Sequence, residues 1–215
     1  MDRYNTLSQS VNGYFKEKGS KFFSYLAPVE NEEEALNFLD SIKEEHFKAR
    51  HHCSAWRVNP DELIERSNDD GEPSGTAGKP ILGQLIKYDV VNIVAVVVRY
   101  FGGTLLGTSG LIQAYKTSTQ LALESGNIIE VVQKTPFKIV LPLAKVHILE
   151  EWAAQLNTEI ISRSYEGTNA IYSMEAEREA IEGKLKILKS KLLNIYIEEV
   201  EEKMEYPDIK FEILG

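Results

Sequence analysis

The sequence predicts an α+β chain of two domains, residues 1–132 and 133–215, and three observations carry that reading. Apolar residues switch repeatedly between helical and extended spacing, so helices and strands are mixed along the chain. The pattern restarts after Val132, and residues 133–215 spell strand, helix, strand, strand, helix, strand, the βαββαβ order of a ferredoxin-like domain. Within the first domain the most apolar strand, Val90–Val98, lies between two loops of small and polar residues, Asp69–Gly78 and Gly102–Gly110.

Each element has its own justification. Lys21–Val29 reads as the first strand. Asn31 then opens a helix, with Glu34 as capping-box partner and Ala35, Phe38, Leu39 and Ile42 on the buried stripe. His51–Asn59 and Glu62–Ser67 read as two strands joined by the turn signal Asn59-Pro60-Asp61. A short helix begins between Thr76 and Pro80, where proline is tolerated in a first turn. Val90–Val98 is too uniformly apolar for a half-exposed strand, which predicts a central strand covered on both faces. Thr108 or Ser109 can cap the next helix, which runs to about Ser125 and ends at Gly126-Asn127.

In the second domain Phe137, Ile139, Leu141 and Leu143 alternate as a strand, and Leu149, Trp152, Ala153 and Leu156 mark a helix face. Two strands follow, about Glu159–Tyr165 and Asn169–Glu175. A helix then carries Ile181, Leu185, Leu188 and Leu192 on one stripe, with Lys184, Lys186, Lys189 and Lys191 on its solvated side. A last strand begins near Ile195.

Composition narrows the function classes. The 215 residues are 43% hydrophobic and 27% charged, ordinary for a soluble globular protein. The longest apolar run, Ile93–Val98, falls far short of the ~18 residues a membrane span needs. No apolar core of a signal peptide opens the sequence, and Cys53 is the only cysteine, so the expected home is the cytoplasm. Net charge is −9; residues 1–132 hold 13 Lys and Arg against 18 Asp and Glu, and residues 133–215 hold 11 against 15. Neither domain is basic, which argues against nonspecific binding to a phosphate backbone. The best local cation cluster is His46–Arg57, with Lys48, Arg50, Arg57, three histidines and no acid.

The two glycine-rich loops are the candidate site, and several familiar chemistries fail there. Backbone N–H groups near Gly102, Gly103, Gly107 and Thr108 suit an anion, with Arg99 upstream as a possible clamp. Gly78-Lys79 is not a P-loop, because Pro73 stands where glycine is needed and Pro80 where Ser or Thr is needed. The glycine spacing is not that of a dinucleotide fold. Asp69, Asp70 and Glu72 could serve a hard cation or acid–base chemistry, but they lack the alternate spacing and closing Glu of a calcium loop. His51 and His52 point to opposite faces of a strand and cannot share a metal. Neither Ser74 nor Ser109 lies in a nucleophile elbow. No catalytic residue, metal or cofactor is assigned. The site is read as a binding surface built from His51, His52, Asp69, Asp70, Glu72, Ser74, Gly75, Thr76, Lys79, Arg99, Tyr100, Gly102, Gly103, Gly107 and Thr108.

Three motifs carry a resemblance: His51-His52-Cys53-Ser54-Ala55-Trp56-Arg57, Asp69 through Pro80, and Arg99-Tyr100-Phe101-Gly102-Gly103 with Leu106-Gly107-Thr108. They resemble the Impact family, in its YigZ-like bacterial branch, and residues 133–215 resemble the C-terminal domain of that branch. The resemblance implies a first domain like domain 2 of ribosomal protein S-five, a fold shared with domain IV of elongation factor G and with GHMP kinases, followed by a ferredoxin-like domain. Eukaryotic relatives join the Impact domain to an RWD domain and restrain the kinase response to amino-acid starvation; no such N-terminal domain is expected here. For bacterial members the resemblance implies a cytoplasmic protein binding nucleic acid or the translation apparatus. Ser109 replaces the usual third glycine, and Gln113 replaces a frequent arginine.

The leading expectation is a non-catalytic regulatory protein that engages RNA or a ribosome-associated protein through the two loops. The alternative is an enzyme or sensor holding a nucleotide or phosphorylated metabolite there, with Asp69 or Asp70 as base or magnesium ligand and Arg99 or Lys79 stabilising charge. A third reading makes the loops mere turns of a structural dimer.

Overall fold

The computed structural model describes residues 1–200 and 208–214. Backbone contacts gather into two compact units, one of Met1 with residues 3–131 and the other of Asp2 with residues 132–215.

The first unit opens with β1 (Arg3–Leu7), β2 (Val11–Glu17) and β3 (Ser20–Pro28). Only β3 was expected. β2 hides from pattern reading because one face exposes Asn12, Tyr14 and Lys16 while the other carries Gly13, where a Cβ would press on Ala122 at 3.0 Å. Helix α1 (Glu32–Glu45) starts at Asn31, whose side chain accepts from Glu34 N at 2.9 Å. The Glu34 carboxylate reaches one residue beyond the cap, to Glu30 N at 2.9 Å. The unit continues through β4 (His51–Val58), β5 (Ile64–Asn68), α2 (Gly78–Lys87), β6 (Ile93–Tyr100), α3 (Gly107–Ser125) and β7 (Ile128–Val132).

Five strands form an antiparallel sheet in the order β2-β3-β6-β4-β5, and β1 pairs with β7 in a separate two-stranded sheet. The central position of β6 explains its composition. Ile93, Ala95 and Val97 pack with Ile81, Leu85, Leu111 and Tyr115 under α2 and α3. Val94, Val96 and Val98 pack with Ala35, Leu39 and Ile42 under α1. The strand starts later than Val90 because Asn92 takes φ +54°, a left-handed turn that interrupts extended backbone.

The second unit is an antiparallel sheet in the order β11-β8-β10-β9, from β8 (Lys134–Pro142), β9 (Glu159–Glu166), β10 (Asn169–Glu177) and β11 (Lys210–Ile213). Helices α4 (Val146–Gln155) and α5 (Ile181–Leu193) cover one face through Leu149, Ala153, Leu185, Leu188 and Leu192. The βαββαβ order holds. The expected strand near Ile195 does not: Asn194 turns left-handed at φ +57°, Ser190 Oγ donates to Ile195 O at 2.8 Å, and residues 197–199 form one helical turn. Leu143 likewise leaves the β8 pattern for a one-turn helix. The lysines of α5 are partly pinned rather than simply solvated, with Lys191 4.4 Å over the Trp152 ring and Lys189 5.3 Å over Phe211. Among the described residues no helix is long and apolar enough to cross a membrane.

Candidate functional site

The loop between β5 and α2 is organised by its first acid. Asp69 Oδ1 accepts from Ala77 N at 2.9 Å and Gly78 N at 2.8 Å, and Oδ2 accepts from Gly75 N at 2.7 Å. An anion is favoured at a helix N-terminus, and here the chain's own carboxylate fills that place at the start of α2. Burial works to raise the Asp69 carboxyl, but the donors of Gly75, Gly78 and Ala77 outweigh it and hold the group below its ordinary value. Asp69 is thereby committed to the loop, not free as a base or magnesium ligand. Gly75 takes φ +76°, and the buried Thr76 hydroxyl donates to Pro73 O at 2.7 Å. Ser74 and Lys79 remain exposed on the rim.

Below the loop lies a buried polar chain. Glu72 Oε1 accepts from Arg99 Nη1 at 2.7 Å and from Tyr115 Oη at 2.8 Å. The Arg99 and Glu72 side chains are only 7% and 3% exposed. Cys53 Sγ lies 3.0 Å from Asp69 O and 3.3 Å from Tyr115 Oη. Burial pushes both the Cys53 thiol and the Tyr115 hydroxyl upward, so each stays protonated and neither is poised as a nucleophile. A closed ion pair thus ties the first loop to the end of β6, just ahead of the second loop. Arg99 is a brace, not a free anion clamp. Tyr115 belongs to this brace and escaped sequence reading because nothing in its helical spacing separates it from an ordinary core aromatic.

His51 and His52 bind the same loop from the start of β4. His51 Nδ1 donates to Asp70 O at 2.8 Å, while the His52 backbone N donates to Asp70 Oδ2 at 2.6 Å. His52 Nε2 donates to His46 O at 3.2 Å on the opposite face of the sheet. Asp70 sits at φ +42°, an uncommon non-glycine conformation held by these contacts.

The second loop gives a different result. Gly107, at φ +70°, begins α3, so the cap position falls on Leu106, without a side-chain bond, and not on Thr108 or Ser109. Gly103 takes φ +88°, and Thr108 is exposed. Gly102 is held against the β2–β3 turn, its N donating to Ser20 Oγ at 3.2 Å. A Cβ there would fall 1.8 Å from the Gly19 carbonyl carbon. Gly102→Ala should therefore cost about 2 kcal/mol through backbone displacement, read as a lower midpoint in urea unfolding with an unchanged slope; an unchanged midpoint would refute the contact.

An open cleft of about 520 Å³ lies beside this brace. It is lined by Lys48, Arg50 and His51, at and just before the start of β4, and by Arg99, Tyr100, Phe101 and Leu105 from the end of β6 and the loop after it. Phe101 is 56% exposed and Leu105 83%, and the Phe101 ring stands 5.7 Å from the Arg99 guanidinium. Of the predicted site residues only His51, Arg99 and Tyr100 reach the cleft. Lys48 and Arg50 belong to the cation cluster read from sequence, but Arg57 drops out, buried against Glu65 and Val90 O at 2.9 and 2.8 Å. Among the described residues no group of three or more His, Cys, Asp or Glu is placed to hold a metal.

Fold and site define a two-unit α+β protein with a self-braced loop after β5 beside a basic and aromatic cleft. The family model for the Impact N-terminal domain matches residues 18–123. The chain is 40% identical over 151 residues to an IMPACT family member of Haemophilus influenzae, covering 69% of this chain and 73% of that protein. It is 42% identical over 154 residues to the IMPACT family member YigZ of Escherichia coli, covering 69% and 74%. A crystal structure of a hypothetical protein, 32% identical, overlays with TM-score 0.67 across 88% of this chain and 93% of that one. The chain belongs to the Impact family, in its YigZ-like bacterial branch.

Proposed function

We propose that this chain is a non-catalytic regulator of translation that engages RNA or a ribosome-associated protein at the cleft beside the two loops. One observation carries the reading: on a chain of net charge −9, the cleft is lined by Lys48, Arg50, His51, Tyr100 and Phe101 with no acid. Interfaces with nucleic acid are positively charged, and partner-binding surfaces are enriched in arginine and aromatics. The buried brace supports binding before chemistry, since Arg99 and Glu72 occupy each other and the Asp69 carboxylate is taken up by its own loop backbone.

The protein should co-sediment with ribosomes at low salt and be released as salt rises. Lys48→Ala with Arg50→Ala, both exposed side chains, should abolish retention without altering the melting temperature. No retention of the unmodified protein at low salt would end this reading. A nucleotide or phosphorylated metabolite is the alternative occupant, weakened because Asp69 already fills the N-terminus of α2; stabilisation by such an anion in a thermal-shift panel would favour it.

A further inference from the structure

We infer that the cleft is one end of a strip across the five-stranded sheet that takes single-stranded RNA, an assignment that rests on the translation reading above. The strand register builds the strip. Lys16 of β2 lies opposite Lys21 of β3, and Lys21 lies opposite Tyr100 of β6. His51 pairs with Arg99, which places Arg50 one position further, beside Tyr100. Lys16, Lys21 and Arg50 are all exposed. With strands ~4.8 Å apart, the row spans roughly 14 Å. The next row inward is aromatic: Tyr14 faces Phe23 with ring centroids 5.1 Å apart, and His46 stacks on Phe23 at 5.7 Å.

Two features point to an anionic, ring-bearing occupant. Like charges directly opposite one another destabilise a sheet, yet Lys16 faces Lys21 and neither makes an ion pair among the described residues. A phosphate backbone laid along the row would relieve that repulsion. α1 covers this face over β4 and β6, but at the β2 edge Tyr14, 49% exposed, offers a ring beside the cations, and exposed aromatics stack unpaired bases. Alternation turns Glu17 to the other face, and Glu45, 3.7 Å from His46 Nε2, is an acid at the border of the strip. A duplex keeps its bases stacked and hidden, so the aromatic row discriminates for a single strand.

The test is fluorescence anisotropy of the full chain with a labelled 12-nucleotide oligouridylate and with a 12-base-pair RNA duplex, across a salt series. The single strand should bind at least tenfold tighter than the duplex. Four cations, Lys16, Lys21, Lys48 and Arg50, predict a slope of log K on log salt of about −2.8 at ~0.7 per phosphate. Lys16→Ala with Lys21→Ala should halve that slope, to about −1.4. Tyr14→Ala should weaken binding about tenfold at an unchanged slope, while Tyr14→Phe binds as the parent does. Equal binding of duplex and single strand, or parental binding by the Lys16/Lys21 variant, overturns the strip. If ribosomes retain the protein through Lys48 and Arg50 but no oligonucleotide binds, the RNA strip falls and the translation reading stands on a protein partner. If neither binds, both fall.

Discussion

Glu72→Ala should destabilise the first unit by about 3–5 kcal/mol, the range for breaking a buried ion pair from one side. Its carboxylate is the common acceptor for Arg99 and Tyr115. Without it the guanidinium would keep, among the described residues, only Ser20 Oγ at 3.4 Å as a polar partner, and Arg99 Nε has none among them. The cost arises from leaving a charge in the core, not from the worth of the pair, so the double replacement Glu72→Leu with Arg99→Met should recover most of the loss. Trp56 lies in the first unit and Trp152 in the second, so urea unfolding followed by fluorescence in a Trp152→Phe background reports the first unit alone. A loss under about 1 kcal/mol would show that the pair is not the brace described above.

The second large effect is expected at Asp69. Replacing it by alanine removes the acceptor for three backbone N–H groups, at a cost of about 2–3 kcal/mol given the usual worth of caps and of hydrogen bonds to charged groups. The pH dependence follows from the direction of its shift. The folded-state value lies below the ordinary 3.8, so the contribution is fully present above about pH 4 and is lost as pH falls through the folded value. The parent and Asp69→Ala stability curves should therefore be parallel at neutral pH and converge in acid. Curves that stay parallel down to pH 2 would mean that the carboxylate charge contributes nothing. Lys79 and Ser74, exposed on the same loop, should tolerate alanine within about 0.5 kcal/mol.

The parts of the fold that could be read from sequence are those where one physical pattern dominates. Ile93–Val98 announces a strand buried on both faces because nothing polar interrupts it, and Asn31 announces a helix start because its side chain has one good role there. β1 and β2 were missed where polar residues and Gly13 mask alternation. Thr108 has the chemistry of a cap, yet Gly107, at positive φ, is already the first residue of α3, so the cap falls two residues earlier on Leu106. The site shows the same division. Motif residues marked the loops, but sequence could not tell that Asp69 would bind its own loop backbone while Glu72 and Arg99 satisfied one another. That depends on tertiary contacts such as Glu72 with Arg99 and Tyr115, which no local spacing encodes. Lys16, Lys21 and Arg50 are far apart in sequence and become a row only through strand register.

The position of β6 has a further consequence during synthesis. β2 and β3 can close as one hairpin and β4 and β5 as another, but β6 joins the two halves and is made after all four. At ~5–20 residues per second, roughly 4–14 s separate the end of β3 at Pro28 from the end of β6 at Tyr100. β3 has no β6 partner throughout that interval, and β4 shares that state once it is made; each is an unpaired edge of the kind that recruits foreign strands. The nascent chain is thus most vulnerable to aggregation just before its central strand emerges, and a chain ending before Ile93 would carry two hairpins with no strand to unite them.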